Sequence, residues 1–370
     1  MKVALVHDWL LTEGGSEKAF SEIWKLFPGE IYTLFYDKKK MGTLPFSQER
    51  IHTSFLQKLP LVSKYYRYLF PFYPSAIEHF GFLEADLILS SSHAVSKGIP
   101  KRKEQLHICY CYTPMRYAWD LKESYLKHLG TPSKAIASFL LERVRKWDLQ
   151  TSSSIDEFIA ISHYVAGRIR RNYQREAKVI YPPVLTEQFF IGKQKQDYYI
   201  THARLVPYKR VDLLVEAFSL MPDKRLIVIG EGPEEKKLKA LAKQNIEFLG
   251  RVEDKELFGL LSEAKAYVFA AEEDFGIGVV EALASGLPVI ALKKGGAIET
   301  IKEDLSGVFF AEATVGSFIE ALRHFEQKED IFDPLFIQNE AKRFSASVFK
   351  KEFSSFVQEA KEIFYSKNKI

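Results

Sequence analysis

Residues 271–300 read AEEDFGIGVVEALASGLPVIALKKGGAIET, and their order of residue types decides the fold. The apolar run 266–270 just before them is a strand that ends in the acidic loop Glu272-Glu273-Asp274. Phe275-Gly276-Ile277-Gly278 then opens a helix whose Val279, Val280, Leu283 and Ala284 share one face, and 287–292 is a second apolar strand. Strand, loop, helix, strand is the repeat of a parallel sheet covered on both faces. Free N–H groups and the dipole at such a helix start attract an anion, and Gly276 and Gly278 let a phosphate approach the backbone. Three carboxylates beside an anion need an offset, and a sugar bearing hydroxyl donors supplies one. Glu273 before the helix and Glu281 one turn into it can take hydroxyls on opposite sides of a diphosphate. A solvated acidic loop before an ordinary helix is the plain alternative.

The same alternation extends in both directions. Toward the carboxyl end, Gly307–Phe310 closes the strand series, and the tail after about Phe325 looks helical and amphipathic. Toward the amino end, strands are expected at 197–200, 226–229 and 246–249, with a helix through Val211, Leu214, Val215 and Phe218. Tyr181-Pro182-Pro183-Val184 and the polar stretch 192–197 interrupt the pattern, so a domain boundary falls between about 182 and 196. Before it, strands are expected at 3–6, 31–35, 86–90, 107–112, 157–162 and 178–181, with a helix from Ser16 onward. The chain is therefore read as α/β, with two doubly wound Rossmann-like domains over 1–185 and 186–349 and a cleft between them. A final helix at about 350–370 packs back on the first domain. Ligands are expected at the carboxyl ends of the strands.

Composition narrows the function classes. The 370 residues are 46% hydrophobic and 27% charged, which suits a folded soluble chain. The apolar run 3–6 is too short for a signal-peptide core, and no stretch approaches a membrane span. Two cysteines exclude a disulfide framework and make a cytoplasmic address the default. Cys109-Tyr110-Cys111 has no second pair and reads as two small hydrophobes on one strand. The net charge of +4 does not call for nucleic acid.

Motifs narrow them further. No third glycine follows Gly14-Gly15 in register, and Pro233-Glu234-Glu235 after Gly230-Glu231-Gly232 would repel a pyrophosphate. A P-loop is absent, and so is an Asp-x-Asp pair, the simplest device for holding a divalent metal against a diphosphate. Arg204-Leu205-Val206-Pro207-Tyr208-Lys209-Arg210 lies between a strand and a helix. Arg204 and Lys209 can neutralise a diphosphate without metal; a basic loop facing water is the alternative.

Together, the E-x7-E of Glu273 and Glu281, ARLVPYKRVDLL, VIGEGPE, EDFGIGVVEALASGLPVIA and GGAIET resemble the retaining glycosyltransferases of family 4, which have the GT-B fold. VHDWLLTEGGSEKAF, SSSHAVSKG, CYCYTPMRYAWD and FIAISHYVAGRIRRNYQREAKVIYPPV resemble the O-antigen mannosyltransferase subgroup. The resemblance implies transfer of a sugar, mannose from GDP-mannose, to a hydroxyl of a glycan or lipid-linked saccharide, with no metal or other cofactor. It implies that Arg204 and Lys209 hold the diphosphate, that Glu281 binds ribose hydroxyls, and that Glu273 contacts the transferred sugar. The N–H groups of Phe275, Gly276 and Ile277 would hold sugar and phosphate, and Arg251 and Val252 would lie along the nucleobase. Gly14 and Gly15 would close over the phosphates, and His93 would reach the sugar near the reacting carbon. Tyr112 stands where that subgroup often has histidine, and Arg116 is a weaker acceptor-side candidate. Alternatives are another GT-B enzyme, such as a nucleotide-sugar epimerase or glucan synthase, or a non-catalytic nucleotide-sugar-binding subunit.

The segment 59–80, LPLVSKYYRYLFPFYPSAIEHF, sets Lys64 and Arg67 among aromatics. A basic, aromatic amphipathic segment suits the inner face of a membrane, and a helix packed on the first domain, broken at Pro71 and Pro74, is the alternative.

Overall fold

A computed structural model describes residues 1–41, 45–46, 48–120, 126 and 130–367. The chain divides into two compact units, Met1–Pro183 with Phe349–Ile370, and Val184–Val348.

The first unit holds seven parallel strands: β1 Val3–His7, β2 Glu30–Thr33, β3 Ile51–Thr53, β4 Leu87–Ser92, β5 Leu106–Cys111, β6 Glu157–Ala160 and β7 Lys178–Val179, ordered 3-2-1-4-5-6-7. β4 and β5 are buried along their whole length, and the one imidazole among their residues, His107, lies 2.8 Å from Ser90 Oγ of the neighbouring strand. β4 runs two residues past the expected Ser90, because Ser91 and Ser92 pair with Tyr110 and Cys111. β3 was not foreseen: it is a three-residue edge strand with no continuous apolar run. Helices α1 Gly15–Leu26, α2 Thr131–Ser152 and α3 His163–Tyr173 belong to this unit.

The second unit holds six parallel strands: β8 Tyr198–His202, β9 Arg225–Ile229, β10 Ile246–Gly250, β11 Ala266–Phe269, β12 Val289–Leu292 and β13 Gly307–Phe310, ordered 10-9-8-11-12-13. β12 starts later than the expected Leu287 because Pro288 has no N–H to give, although its carbonyl accepts from Tyr267 at 2.9 Å. Helices α4 Val211–Ser219, α5 Ile277–Ala284 and α6 Val315–Gln327 belong to this unit.

α7 Ala346–Lys367 starts in the second unit and belongs to the first from Phe349 onward. There Phe349 and Phe353 pack edge-on to Tyr110, Phe353 also meets Phe27, and Lys350 pairs with Glu22 at 2.8 Å. Residues 368–370 of the expected helix lie outside the described residues.

Segment 59–80 is a series of short turns instead of one helix: Val62–Tyr65, a 3-10 stretch Tyr66–Phe72 that runs through Pro71, and Tyr73–Glu78. Val62, Tyr73, Ala76 and Ile77 enter the core, and Leu61, Tyr68 and Phe72 are exposed. The aromatics of this segment are thus split between core and surface. Cys109 and Cys111 are free and buried on β5. Among the described residues, no helix is long and apolar enough to cross a membrane.

Candidate functional site

In each sheet the winding direction reverses beside one strand, leaving a crevice at the carboxyl ends of two neighbours. In the second unit these are β8 and β11.

The chain leaves β8 through Ala203 to Val206, makes a 3-10 turn at Pro207–Lys209 and enters α4 after Arg210, whose φ of 51° is left-handed. The loop is laced to its neighbours by main-chain bonds from Ala203 to Ile229 (3.0 Å), Leu205 to Glu231 (2.9 Å) and Glu234 to Leu205 (3.1 Å). A Cβ on Gly232 would stand 2.2 Å from the Leu205 carbonyl oxygen. The Gly-Glu-Gly turn therefore seats the basic loop. Arg204 is exposed, and its side chain makes no hydrogen bond or ion pair among the described residues. The Lys209 ammonium donates to Glu273 Oε1, with both side chains largely buried.

Glu273 sits in the loop after β11. Its carbonyl accepts from Gly296 N–H at 2.8 Å, and a Cβ on Gly296 would lie 2.5 Å from Phe275 Cα. The glycine pair of GGAIET thus lets the next loop press against the acidic one. Phe275 is buried edge-on to Phe344, and Gly276, at φ 86°, is the N-cap of α5. The N-cap glycine has no side chain to cap that helix start; Val279 N–H bonds the Gly276 carbonyl at 3.0 Å, and the positive end of the helix dipole lies at this turn. Glu281, one turn in, accepts from His202 Nε2 at 2.7 Å. The offset that sequence reasoning sought in substrate hydroxyls is therefore partly internal, since Lys209 and His202 face the two glutamates.

Arg204, Lys209, Glu273, Phe275, Gly276, Ile277 and Glu281 come together at this crevice. Exposed Arg251 and half-buried Val252 follow a bend at Gly250 (φ 67°) at the end of β10, two strands from β8. No hydrogen bond or ion pair among the described residues joins Arg251 to the cluster.

In the first unit the reversal lies between β1 and β4. Asp8, fully buried just past β1, accepts four consecutive backbone N–H groups: His93 (2.7 Å), Ala94 (2.9 Å), Val95 (2.6 Å) and Ser96 (2.7 Å). His93 Nδ1 lies 3.2 Å from Asp8 Oδ2, and Trp9 stands edge-on to the imidazole at 4.4 Å between ring centroids. Burial holds the His93 imidazole below its usual range, against the opposing pull of Asp8. His7 stacks on Phe20, reaches the Ser91 carbonyl at 3.2 Å and faces Glu17 at 3.6 Å. Burial alone would raise the Glu17 pKa, but His7 and His93 together hold it below the ordinary carboxylate value. Gly14 is the extended N-cap of α1, with Gly15 its first residue. Tyr112 is a buried brace whose hydroxyl donates to the Ser16 carbonyl at 2.8 Å and lies 2.9 Å from Ser91 Oγ. Arg116 is half-buried.

Sequence reasoning missed Asp8, Glu17 and His202. Two of them carried a readable signal: Asp8 and His202 are polar residues at the carboxyl ends of the first strands of their sheets, beside the reversal.

Residues 186–345 match the family described as Glycosyl transferases group 1. Over 115 residues the chain is 37% identical to a GDP-mannose-dependent monoacylated alpha-(1-6)-phosphatidylinositol monomannoside mannosyltransferase of Corynebacterium glutamicum, covering 27% of this chain and 30% of that protein. It is 29% identical to an O-antigen chain mannosyltransferase of Salmonella typhimurium, covering 36% and 40% of the two chains. The matches thus span well under half the length of these relatives. The solved structure of Anabaena HepE in complex with UDP and glucose shares the fold over 97% of this chain and 99% of that one, with a TM-score of 0.71 and 17% identity.

Proposed function

We propose, from the premise that residues 186–345 form a glycosyl transferases group 1 domain, that the protein is a retaining glycosyltransferase. It moves mannose from GDP-mannose to a hydroxyl of a glycan or lipid-linked saccharide and needs no metal. The observation that carries the reading is the gathering of Arg204, Lys209, Glu273, Glu281 and an uncapped helix start at one strand reversal. The donor base and sugar rest on the likeness to the two mannosyltransferases.

In the reaction the bond from the anomeric carbon to the diphosphate oxygen breaks, and a bond to the acceptor oxygen forms. The acceptor proton leaves to the departing diphosphate or to water. Negative charge grows on the diphosphate, where Arg204, Lys209 and the N–H groups of Phe275, Gly276 and Ile277 stabilise it. Diphosphate competes with Glu273 for Lys209, which frees the Glu273 carboxylate for sugar hydroxyls. Glu281 takes the ribose, and Arg251 and Val252 lie along the base. The exposed Leu61, Tyr68 and Phe72 beside Lys64 and Arg67 suit contact with an anionic membrane surface that carries a lipid-linked acceptor.

A thermal-shift series with GDP-mannose, GDP-glucose, UDP-glucose and UDP, followed by product analysis with a glycolipid acceptor, tests the reading. A donor at 100 times its dissociation constant should stabilise the chain by about 2.7 kcal/mol. No shift with any nucleotide sugar would overturn it.

A further inference from the structure

We infer that His202 is a positioning residue for nucleotide recognition: it orients the Glu281 carboxylate toward the ribose and so sets the preference for a ribonucleotide donor. The inference rests on the reading of Glu281 as the ribose-binding group.

Three observations fix the geometry. First, His202 Nε2 lies 2.7 Å from Glu281 Oε2, with only 16% and 20% of the two side chains exposed. A carboxylate only accepts, so the Nε2 atom carries the hydrogen. Second, the imidazole is itself held. Tyr267 donates its hydroxyl to the His202 carbonyl at 3.1 Å, and its ring lies 5.3 Å from the imidazole. Third, the helix makes room for both rings. A Cβ on Gly278 would stand 2.7 Å from the Tyr267 hydroxyl and 3.1 Å from His202 Cε1 and Nε2. Glycine at 278 therefore permits the side chain of β8 to reach the first turns of α5.

The chemistry follows. A carboxylate offers about four acceptor positions, so one imidazole N–H fixes its plane without exhausting it. A vicinal diol is read best by a carboxylate whose plane is set beforehand, because ordering on binding weakens affinity. His202 reaches Glu281 across the strand reversal, 79 residues away in the chain.

The test is calorimetric titration of the full chain with GDP and UDP, each beside its 2′,3′-dideoxy analogue, together with donor KM and kcat. Wild type should favour its preferred ribonucleotide over the analogue by about tenfold or more, the scale of a charge-assisted hydrogen bond. His202→Ala should weaken the ribonucleotide by about tenfold, leave the dideoxy analogue unchanged, and raise KM with kcat altered less than about threefold. His202→Gln, whose Nε2 can take the place of the imidazole Nε2, should restore most of the discrimination, and His202→Asn should not. Equal weakening of both nucleotides by His202→Ala, or a Gln variant no better than Ala, overturns the inference while the donor site stands. Wild type that binds both nucleotides of each pair equally, or neither, overturns the ribose reading of Glu281 and the inference with it.

Discussion

At the end of β1 the Asp8 carboxylate is held by four backbone N–H groups and is wholly buried, whereas at the reversal between β8 and β11 Glu273 and Glu281 are held by side chains, Lys209 and His202. Both places are strand reversals in parallel sheets, yet the means differ. Main-chain donors cannot turn away without unmaking the loop 93–96. A lysine or an imidazole can release its partner at the cost of a rotamer. The first crevice is a fixed mount for His93, and the second is a set of exchangeable pairs that an incoming anion can rearrange. Arg204 is exposed in the loop that carries Lys209 and, on the proposed reading, is available to the anion at once.

The largest effect should come from breaking the fixed mount. Asp8→Ala leaves four buried N–H groups without an acceptor, and at about 1–3 kcal/mol each the loss should be about 4 kcal/mol or more. Urea unfolding of the full chain reads it; a change below about 1 kcal/mol would mean that the loop finds other acceptors. Next comes the exchangeable side. Arg204→Ala should keep the melting temperature and lower transfer by about 10²–10³, the scale for losing one transition-state contact. Near-wild-type turnover would remove Arg204 from the site.

A smaller effect separates the two regions by pH. Glu17 is depressed in the folded chain, so the unfolded chain takes up its proton first as pH falls. Its contribution is complete above the ordinary value of 4.5 and declines as pH drops through the folded value. Glu17→Gln should flatten the acid limb of the stability curve measured from pH 6 to pH 3. An unchanged limb would show that Glu17 is not coupled to folding. The smallest expected effect is none: with Arg204, Lys209 and the start of α5 supplying the positive charge as proposed, transfer should survive excess EDTA. A strict magnesium requirement would contradict that division of labour.

Most of both sheets was legible because parallel strands buried on two faces must be continuous apolar runs, as in Leu87–Leu89 and Val289–Leu292. β3 was not, because an edge strand of three residues carries no such run. The donor-side residues were legible through local spacing: Glu273 and Glu281 flank one helix start, and Arg204 and Lys209 share one loop. His202 and Asp8 were readable only as polar residues at strand ends, since the partners that give each its role lie 79 to 88 residues away. The pairing of Lys209 with Glu273 was hidden for the same reason, with 64 residues between them.

α7 carries a consequence for biosynthesis. Phe349 and Phe353 pack on Tyr110, and Phe353 also on Phe27, so α7 seals an apolar flank of the first unit. On the ribosome the second unit is complete in sequence before those two phenylalanines emerge. The half of the protein that is translated first is therefore the last to be sealed, and until then it must wait with an open apolar flank.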